Sequence, residues 1–193
     1  FSLWSEWWAA EVLSIFAGML PEGEASVGAC AILFNTLAIV YMTFVGVQNA
    51  TTTRVGNLVG AQNAARIPSS ILSGVLLALA LSCPIALGLQ IFGPSILRLW
   101  TDDAGILAEA ESASLGMVLS VPPYAAMMCL LGVMRGAGLQ TRGAFIVFVS
   151  FYVFGLPLGA YLGLRAGCGL MGVYWGNITG LTLSALGMGI LTL

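Results

Sequence analysis

The chain opens on the stretch FSLWSEWWAAEVLSIFAGML (1–20), whose length and apolar composition are those of a bilayer-spanning helix. It carries two carboxylates, Glu6 and Glu11, although a charge inside the hydrocarbon core is costly. Five further apolar runs follow, and all the other charged residues fall in the gaps between runs. The chain is 59% hydrophobic and only 7% charged, against about 25% charged residues in soluble domains. The sequence therefore indicates a membrane protein.

The runs predict an all-α membrane protein whose six transmembrane helices form one lobe. The helices are expected at about 1–20, 26–47, 71–92, 113–133, 143–164 and 170–193, each near the length that crosses a bilayer. No break in composition divides the chain, so residues 1–193 are expected to form a single transmembrane lobe. Because the chain lacks an initiator Met and begins inside an apolar run, we also expect it to be part of a longer polypeptide.

The arginines predict the orientation of this multi-pass protein. Short cytoplasmic loops carry the excess of Lys and Arg, whereas acidic residues contribute little. Two gaps hold two arginines each, and the alternate gaps hold only Arg98 and Arg165. The arginine-rich gaps contain Arg54, Arg66, Arg135 and Arg142. These gaps are placed in the cytoplasm, which puts both ends of the segment there. The sequence does not distinguish the plasma membrane from a vacuolar or other organelle membrane.

Two of the gaps carry structural expectations. The gap at 49–70 is the longest polar stretch and is expected to be a cytoplasmic loop, with Pro68 making Ile67 a break before the next helix. In the next gap, Thr101 and Asp102 are expected to cap a short helix through Glu111, because their side-chain oxygens can accept from its first free amides. We expect that helix to lie along the membrane surface.

Glycines at fourfold spacing predict close contacts between helices. In lipid, small residues at this spacing allow the backbones of two helices to approach each other. One such face lies in the fifth helix and another in the sixth, formed by Gly155, Gly159, Gly163 and by Gly172, Gly176, Gly180.

Three prolines inside the apolar runs are candidate kinks or hinges. Pro157 cannot donate a hydrogen bond to the carbonyl of Val153, and Pro122 and Pro123 interrupt the fourth helix in the same way. The freed carbonyls can bind an ion or allow hinge motion. Alternatively, they are satisfied by neighbouring side chains in simple kinks.

The two carboxylates of the first run are the main functional candidates. Glu11 precedes Pro21 by about 15 Å of helix, near mid-bilayer, and Glu6 lies about 7 Å deeper towards the cytoplasm. Their spacing puts them about 140° apart around the helix, so they cannot share one proton. One or both can exchange a proton during transport, or they can be structural groups that are hydrogen-bonded to neighbouring helices.

Other side chains at membrane depth are candidates for a substrate cavity. Trp7 offers an aromatic face to a cationic or flat ligand, or it packs against other helices. Asn35 and Tyr41 lie in the second helix, Tyr124 in the fourth and Tyr152 in the fifth. Each of these polar groups can contact a ligand or make a hydrogen bond between helices.

Nothing in the sequence indicates an enzyme. The chain has no histidine, which excludes a Ser-His-Asp triad, and no glycine-rich phosphate loop follows a strand. Its cysteines have no paired spacing, so we expect neither a disulfide nor a metal site. The cysteines are Cys30, Cys83, Cys129 and Cys168. No cofactor and no nucleic-acid partner are expected.

Five segments, taken in order, resemble the multidrug and toxic compound extrusion (MATE) family and together span almost the whole chain. They are Glu6-Trp7-Trp8 with Glu11, Arg54-Val-Gly-Asn-Leu-Val-Gly-Ala-Gln-Asn-Ala-Ala-Arg66, Leu97-Arg-Leu-Trp-Thr-Asp-Asp103, Gly132-Val-Met-Arg-Gly-Ala-Gly138 and Tyr152-Val-Phe-Gly-Leu-Pro-Leu-Gly159. Each motif is weak alone, but their order makes chance similarity a poor explanation. The resemblance is to the eukaryotic type and to its C-terminal six-helix half.

The resemblance implies a mode of action. Family members have two six-helix lobes around a cavity that opens alternately to each side, and they export organic cations, drugs or secondary metabolites in exchange for protons or sodium. A transport-essential carboxylate of the family falls on Glu6, and a second acid falls on Glu11. The implied partners are the lipid bilayer, an N-terminal six-helix lobe of the same polypeptide, a small organic substrate and protons, which are expected in preference to sodium.

The chain also departs from the family pattern. Some animal members carry further acids where this chain has Asn35 and, near Tyr124, none. After Gly138 the usual Gln-Lys pair is replaced by Gln140-Thr141, with Arg142 one place later. Fewer acids weaken the expectation of polyspecific cation export.

Two other functions stay open. The chain can be a non-transporting membrane scaffold or degenerate half-transporter, whose buried carboxylates would be paired or would face protein. It can also be a related lipid-linked precursor flippase, whose cavity is expected to be more basic.

Overall fold

The computed structural model describes the backbone of residues 2–192 and the side chains of residues 8–192. The regular structure in this part of the chain is helical, which confirms the all-α class. A helix pairs nearly all of its backbone donors and acceptors within one segment, as a lipid environment requires. The helices are α1 Ser2–Gly18, α2 Gly23–Gly60, α3 Ile67–Leu97, α4 Ala104–Gly136, α5 Gln140–Val149, α6 Leu156–Ala160 and α7 Gly169–Thr192.

α5 and α6 belong to one continuous helical rod, Gln140–Arg165, which also includes two π-helical segments. Ser150–Gly155 precedes α6 and Tyr161–Arg165 follows it. Pro157 has no amide hydrogen, and the wider turn before it changes the backbone pairing, so that the Leu156 amide donates to the carbonyl of Phe151. The rod thus passes the proline without ending. α4 likewise continues past Pro122 and Pro123, and kinks or hinges at the three prolines stay a prediction.

Four helical stretches of the described chain are long and apolar enough to cross a membrane. They are Gly23–Gly60, Ala64–Leu97, Ala104–Gly136 and Gln140–Arg165. In α1 the described apolar helix is shorter, Trp8–Gly18. Each of the six expected runs coincides with a helical stretch, but a total of six membrane spans stays a prediction.

α2 extends well beyond the apolar run that predicted it. It continues to Gly60, so the loop expected at 49–70 is wrong over its first half, and a 3₁₀ turn Ala64–Arg66 leads into α3. Polar residues fit this extension because hydroxyls bond back along the helix, as Thr51 Oγ1 does to Val47 O at 2.9 Å. The break expected at Ile67 is wrong: α3 begins at Ile67 with Pro68 in its first turn, and Ile67 has helical angles, φ −64° and ψ −49°. The interruption lies earlier, at 61–63.

The separate surface helix expected between Thr101 and Glu111 is wrong, because α4 runs unbroken through this stretch. Its cap is Asp103, whose Oδ1 accepts from Gly105 N at 2.8 Å and Ile106 N at 3.0 Å. Thr101 Oγ1 instead accepts from the Asp103 amide at 3.2 Å. The three adjacent residues offer similar capping oxygens, and only the backbone geometry selects among them.

α4 is the central helix. Of its most apolar stretch, 78% is buried, against 17% for that of α3. It packs against α2, α3 and α7. α3 lies on the outside and exposes large apolar side chains, namely Leu72, Leu76, Leu77, Ile91 and Phe92. α3 therefore lies at the edge of the bundle, although residues such as Ile71 and Leu97 still join the buried core.

The two predicted glycine faces meet, which confirms the expected close contact. A Cβ added to Gly176 would lie 2.5 Å from the carbonyl oxygen of Gly155 and 2.5 Å from the Cα of Gly159. One added to Gly172 would lie 2.6 Å from the carbonyl carbon of Leu162. The rod and α7 thus touch backbone to backbone, which side chains larger than hydrogen would prevent.

Candidate functional site

A cavity of about 340 Å³ lies between α1, α2, α4 and α7, with Phe151 of the first π-helical segment on its wall. This volume is within the range of small-molecule sites. The lining residues are Ala10, Leu13, Cys30, Phe34, Leu37, Ala38, Tyr41, Met42, Val45, Gln48, Asn49, Tyr124, Arg135, Phe151, Val173, Tyr174, Asn177 and Leu181. Most are apolar or aromatic, so the cavity suits a ligand with a hydrophobic body.

Two of the predicted site residues, Tyr41 and Tyr124, come together on this wall. Their rings are stacked, with centroids 3.5 Å apart and planes 6° apart. Phe44 meets Tyr124 edge-on, with centroids 6.2 Å apart. Tyr41 Oη and Ser120 Oγ are 3.1 Å apart, and either atom can donate the hydrogen bond. The stack joins α2 to α4 and forms part of the aromatic surface of the cavity.

Arg135 of α4 and Gln48 of α2 form a polar part of the cavity wall, where Arg135 carries the charge. Arg135 Nη1 donates to Gln48 Oε1 at 3.2 Å. Two glycines allow the helices to meet here. A Cβ on Gly132 would lie 2.5 Å from the Gln48 carbonyl oxygen, and one on Gly136 would lie 2.6 Å from that of Thr52. These close contacts flank Arg135 and hold it against α2.

Sequence reasoning missed Gln48 and Arg135 as cavity residues. The fourth apolar run ends at residue 133, which predicts a loop at Arg135, whereas α4 continues to Gly136. A signal was present, because Gly132 and Gly136 have the fourfold spacing of a helix contact. Applied to this pair, the same rule predicts that Arg135 is helical and close to a neighbouring helix.

Three other predicted site residues lie outside the cavity wall. Glu11 and Asn35 are exposed on the surfaces of α1 and α2, and Tyr152 is half-buried. The ring of Tyr152 stacks on Phe148, with centroids 4.7 Å apart. The structure therefore brings together only the tyrosines at 41 and 124 from this part of the prediction.

The remaining candidates are two residues of α1 and three prolines. The side chains of Glu6 and Trp7 lie outside the described residues. Pro122 and Pro123 are half-buried within α4, and Pro157 is exposed on α6. None of the three prolines lines the cavity.

Comparison with known proteins assigns the family. The MatE family model matches residues 1–161. The chain belongs to the MATE family. Protein DETOXIFICATION 30 of Arabidopsis thaliana is 30% identical over 181 residues, which is 94% of this chain and 36% of the relative. Multidrug and toxin extrusion protein 2 of Oryctolagus cuniculus is 30% identical over 182 residues, or 94% of this chain and 30% of that protein. The resemblance of the five motifs to MATE proteins is confirmed.

Solved MATE structures share the fold of this chain. The eukaryotic MATE transporter AtDTX14 superposes with a TM-score of 0.88 and 24% identity over 96% of this chain and 42% of that one. An outward-facing multidrug resistance MATE family transporter of the MOP superfamily gives 0.90 and 19% identity over 99% and 43%. The chain is thus an integral membrane protein of a transporter family, and it spans about a third of the length of the curated relatives named above.

Proposed function

We propose that this chain is the C-terminal lobe of a secondary active antiporter that exports small organic compounds in exchange for protons. Drugs, xenobiotics and secondary metabolites are the substrate classes. The observation that carries the proposal is the cavity of about 340 Å³, walled by apolar and aromatic side chains of four helices in a chain of the MATE family. A ligand-sized cavity within a membrane lobe suits a carrier.

The second lobe in this proposal is an N-terminal set of six helices in the same polypeptide. The matches support it, because this chain corresponds to 42% of the AtDTX14 chain and 36% of DETOXIFICATION 30. The two lobes would enclose the transport path, and the lipid bilayer would surround both. Six spans would put both ends of this segment in the cytoplasm.

We assign the coupling proton to Glu6, with Glu11 in a supporting role. Ala10 and Leu13 are the α1 residues on the cavity wall. Glu6 precedes them by four and seven residues, the spacing of one helix face, whereas Glu11 does not share that register. In this proposal the proton that Glu6 takes up and releases links the pH gradient to transport.

Flux measurements on the full-length protein test this assignment. The protein is reconstituted into proteoliposomes with an imposed pH gradient. The Glu6→Gln substitution keeps the size of the side chain and its ability to form hydrogen bonds, but the new side chain cannot ionise. Gradient-driven efflux of a transported probe should fall at least about tenfold, and Glu11→Gln should have the smaller effect. A sodium gradient in place of the pH gradient should drive little flux.

Two outcomes of the flux measurements would contradict the proposal, each in a different way. Near-normal pH-driven efflux by Glu6→Gln would move the coupling proton to another group. No gradient-driven flux of any cationic, neutral or anionic probe by the parent protein would favour the scaffold. Yield and monodispersity of each variant are measured alongside, so that loss of folding is recognised.

A further inference from the structure

The described part of the cavity wall has a positively charged side chain and no negatively charged one. Among the described residues that line it, Arg135 is charged and none is an Asp or Glu. The side chain that receives the Arg135 hydrogen bond is the neutral amide of Gln48. The wall therefore carries a positive charge that no carboxylate on the described wall offsets.

Gln48 also has an unused hydrogen-bond donor. The side chain is 2% exposed, and within the described structure its Nε2 has no hydrogen-bond partner. Arginine can only donate, so its bond to Oε1 fixes which end of the amide carries the hydrogens. A buried donor without an acceptor is costly. An acceptor on a bound ligand would remove that cost.

A simpler role for Arg135 is that of a cytoplasmic anchor, since arginines at helix ends commonly face lipid headgroups. The other arginines of the two predicted cytoplasmic gaps fit that role, because Arg54, Arg66 and Arg142 are exposed. Arg135 differs from them. It is half-buried, lines the cavity and bonds to a buried side chain.

We propose that Arg135 and Gln48 Nε2 form a subsite for the oxyanion of an amphipathic organic substrate, such as a carboxylate on an apolar body. The guanidinium and the amide are both donors, which matches the acceptors of a carboxylate. In a low-dielectric wall the same charge repels an organic cation. This inference rests on the proposed function, because it treats the cavity as the transport cavity.

The apolar body of the substrate would extend towards the tyrosine stack. Tyr41 precedes Gln48 by two helical turns, about 10 Å along α2. Val45 and Met42 line the cavity between them. An aromatic ring joined to a carboxylate by a short alkyl chain fits this arrangement.

Three matched probes test the subsite. They are 6-phenylhexanoate, 6-phenylhexanol and 6-phenylhexylamine, which share a ring and an alkyl chain and differ in the head group. Their binding to the purified full-length protein, in nanodiscs of phosphatidylcholine, is measured by calorimetry. The anion should bind most tightly and the protonated amine most weakly, with about a tenfold or larger difference between them. Equal or tighter binding of the amine overturns the proposal.

Three variants connect that preference to the named residues. Arg135→Gln should abolish the preference for the anion, and Gln48→Met, which keeps the length but removes Nε2, should weaken anion binding several-fold. Arg142→Gln removes an exposed arginine and is the matched control, with unchanged binding expected. An unchanged preference in folded Arg135→Gln overturns the proposal. If that variant does not fold, the order of the three binding affinities on the parent protein still tests the proposal.

Two further arms separate the alternatives. Adding phosphatidylglycerol to the nanodiscs should leave 6-phenylhexanoate binding in place, whereas its competitive loss would assign Arg135 to a lipid headgroup and overturn the subsite. Flux in proteoliposomes separates this inference from the proposed function. If the anion binds in an Arg135-dependent way but no proton-driven flux is seen, the subsite is supported and the proposed antiport function is overturned. Proton-driven export of the amine without binding of the anion would support the antiporter and overturn the anion subsite.

Discussion

The ring of Tyr41 lies flat against the ring of Tyr124, with 3.5 Å between the centroids and 6° between the planes. One ring comes from α2 and the other from the central helix α4, and both line the cavity. Offset or edge-on aromatic pairs contribute about 0.5–1.5 kcal/mol beyond their burial, and face-to-face pairs contribute less than this. The stack therefore stabilises the fold at the point where it also shapes the site.

Substitutions at Tyr41 should separate the ring from its hydroxyl group. Tyr41→Phe keeps the stack and loses the hydrogen bond with Ser120, which should cost about 1 kcal/mol. Tyr41→Leu loses the stack as well, so its cost should be larger by about 1 kcal/mol. Thermal unfolding of the purified protein measures both, and binding of 6-phenylhexanol should weaken only in Tyr41→Leu. Equal effects of the two variants would show that the stack contributes nothing.

Gly176→Ala should destabilise the protein, although alanine is the better helix former by about 1 kcal/mol. The new Cβ would lie 2.5 Å from backbone atoms of the rod, and backbone cannot rotate away as a side chain can. We expect a net loss of about 1–3 kcal/mol and a lower yield of folded protein.

Gly189→Ala in the same helix is the matched control for this substitution. Its added Cβ would lie 3.9 Å from the nearest side-chain atom, Leu130 Cδ1, which is an ordinary contact. It should be neutral or slightly stabilising. Equal stability of Gly176→Ala and Gly189→Ala would contradict the backbone contact between the rod and α7.

The glycine faces could be predicted from the sequence because the spacing of small residues is itself the contact pattern. The ends of the helices could not. The hydropathy of the sequence falls after Val47, but α2 continues, and Thr51 still donates a hydrogen bond back along the helix. A helix can extend beyond its apolar run, so hydropathy does not mark where it ends. The same limit placed Arg135 in a loop, although Gly132 and Gly136 show where α4 meets α2.

Asp103→Ala should shorten or fray the start of α4. Two amides of the first turn donate to Asp103 Oδ1, and loss of such a cap costs about 1 kcal/mol. Asp102→Ala removes the same charge next to the cap and should cost less. The difference between the two melting temperatures is the readout, and no difference would mean that the cap does not limit stability.

Cysteine labelling in intact vesicles tests the orientation. Ala61→Cys, after α2, and Ala104→Cys, at the start of α4, both place a thiol at an exposed position and should react with membrane-impermeant reagents from opposite sides. The background should lack the exposed native Cys83 and Cys168. Restoring Cys168 gives a third reporter, which is expected on the side of Ala104→Cys. Labelling of the positions at 61 and 104 from one side would end the six-span orientation.

The cavity was only partly accessible to prediction. Polar side chains at membrane depth pointed to Tyr41 and Tyr124, which the structure brings together. The same reasoning selected Asn35, which is exposed. The face that a residue presents depends on how neighbouring helices pack, and on a helix that is apolar all round no periodic signal records it. Gln48 was missed because a buried amide is recognised by its partner, which lies 87 residues away in the sequence.

The length of α2 has a mechanical consequence. The helix runs without interruption from the tyrosine stack to Gly60, an arm of about 28 Å at 1.5 Å per residue. If the helix tilts by about 10° as its aromatic pair repacks around a substrate, the far tip sweeps through about 5 Å. Because Tyr41 lies near the middle of α2, such a tilt would move both ends of the helix. A small adjustment beside the cavity would therefore displace the segment that precedes the 3₁₀ turn before α3.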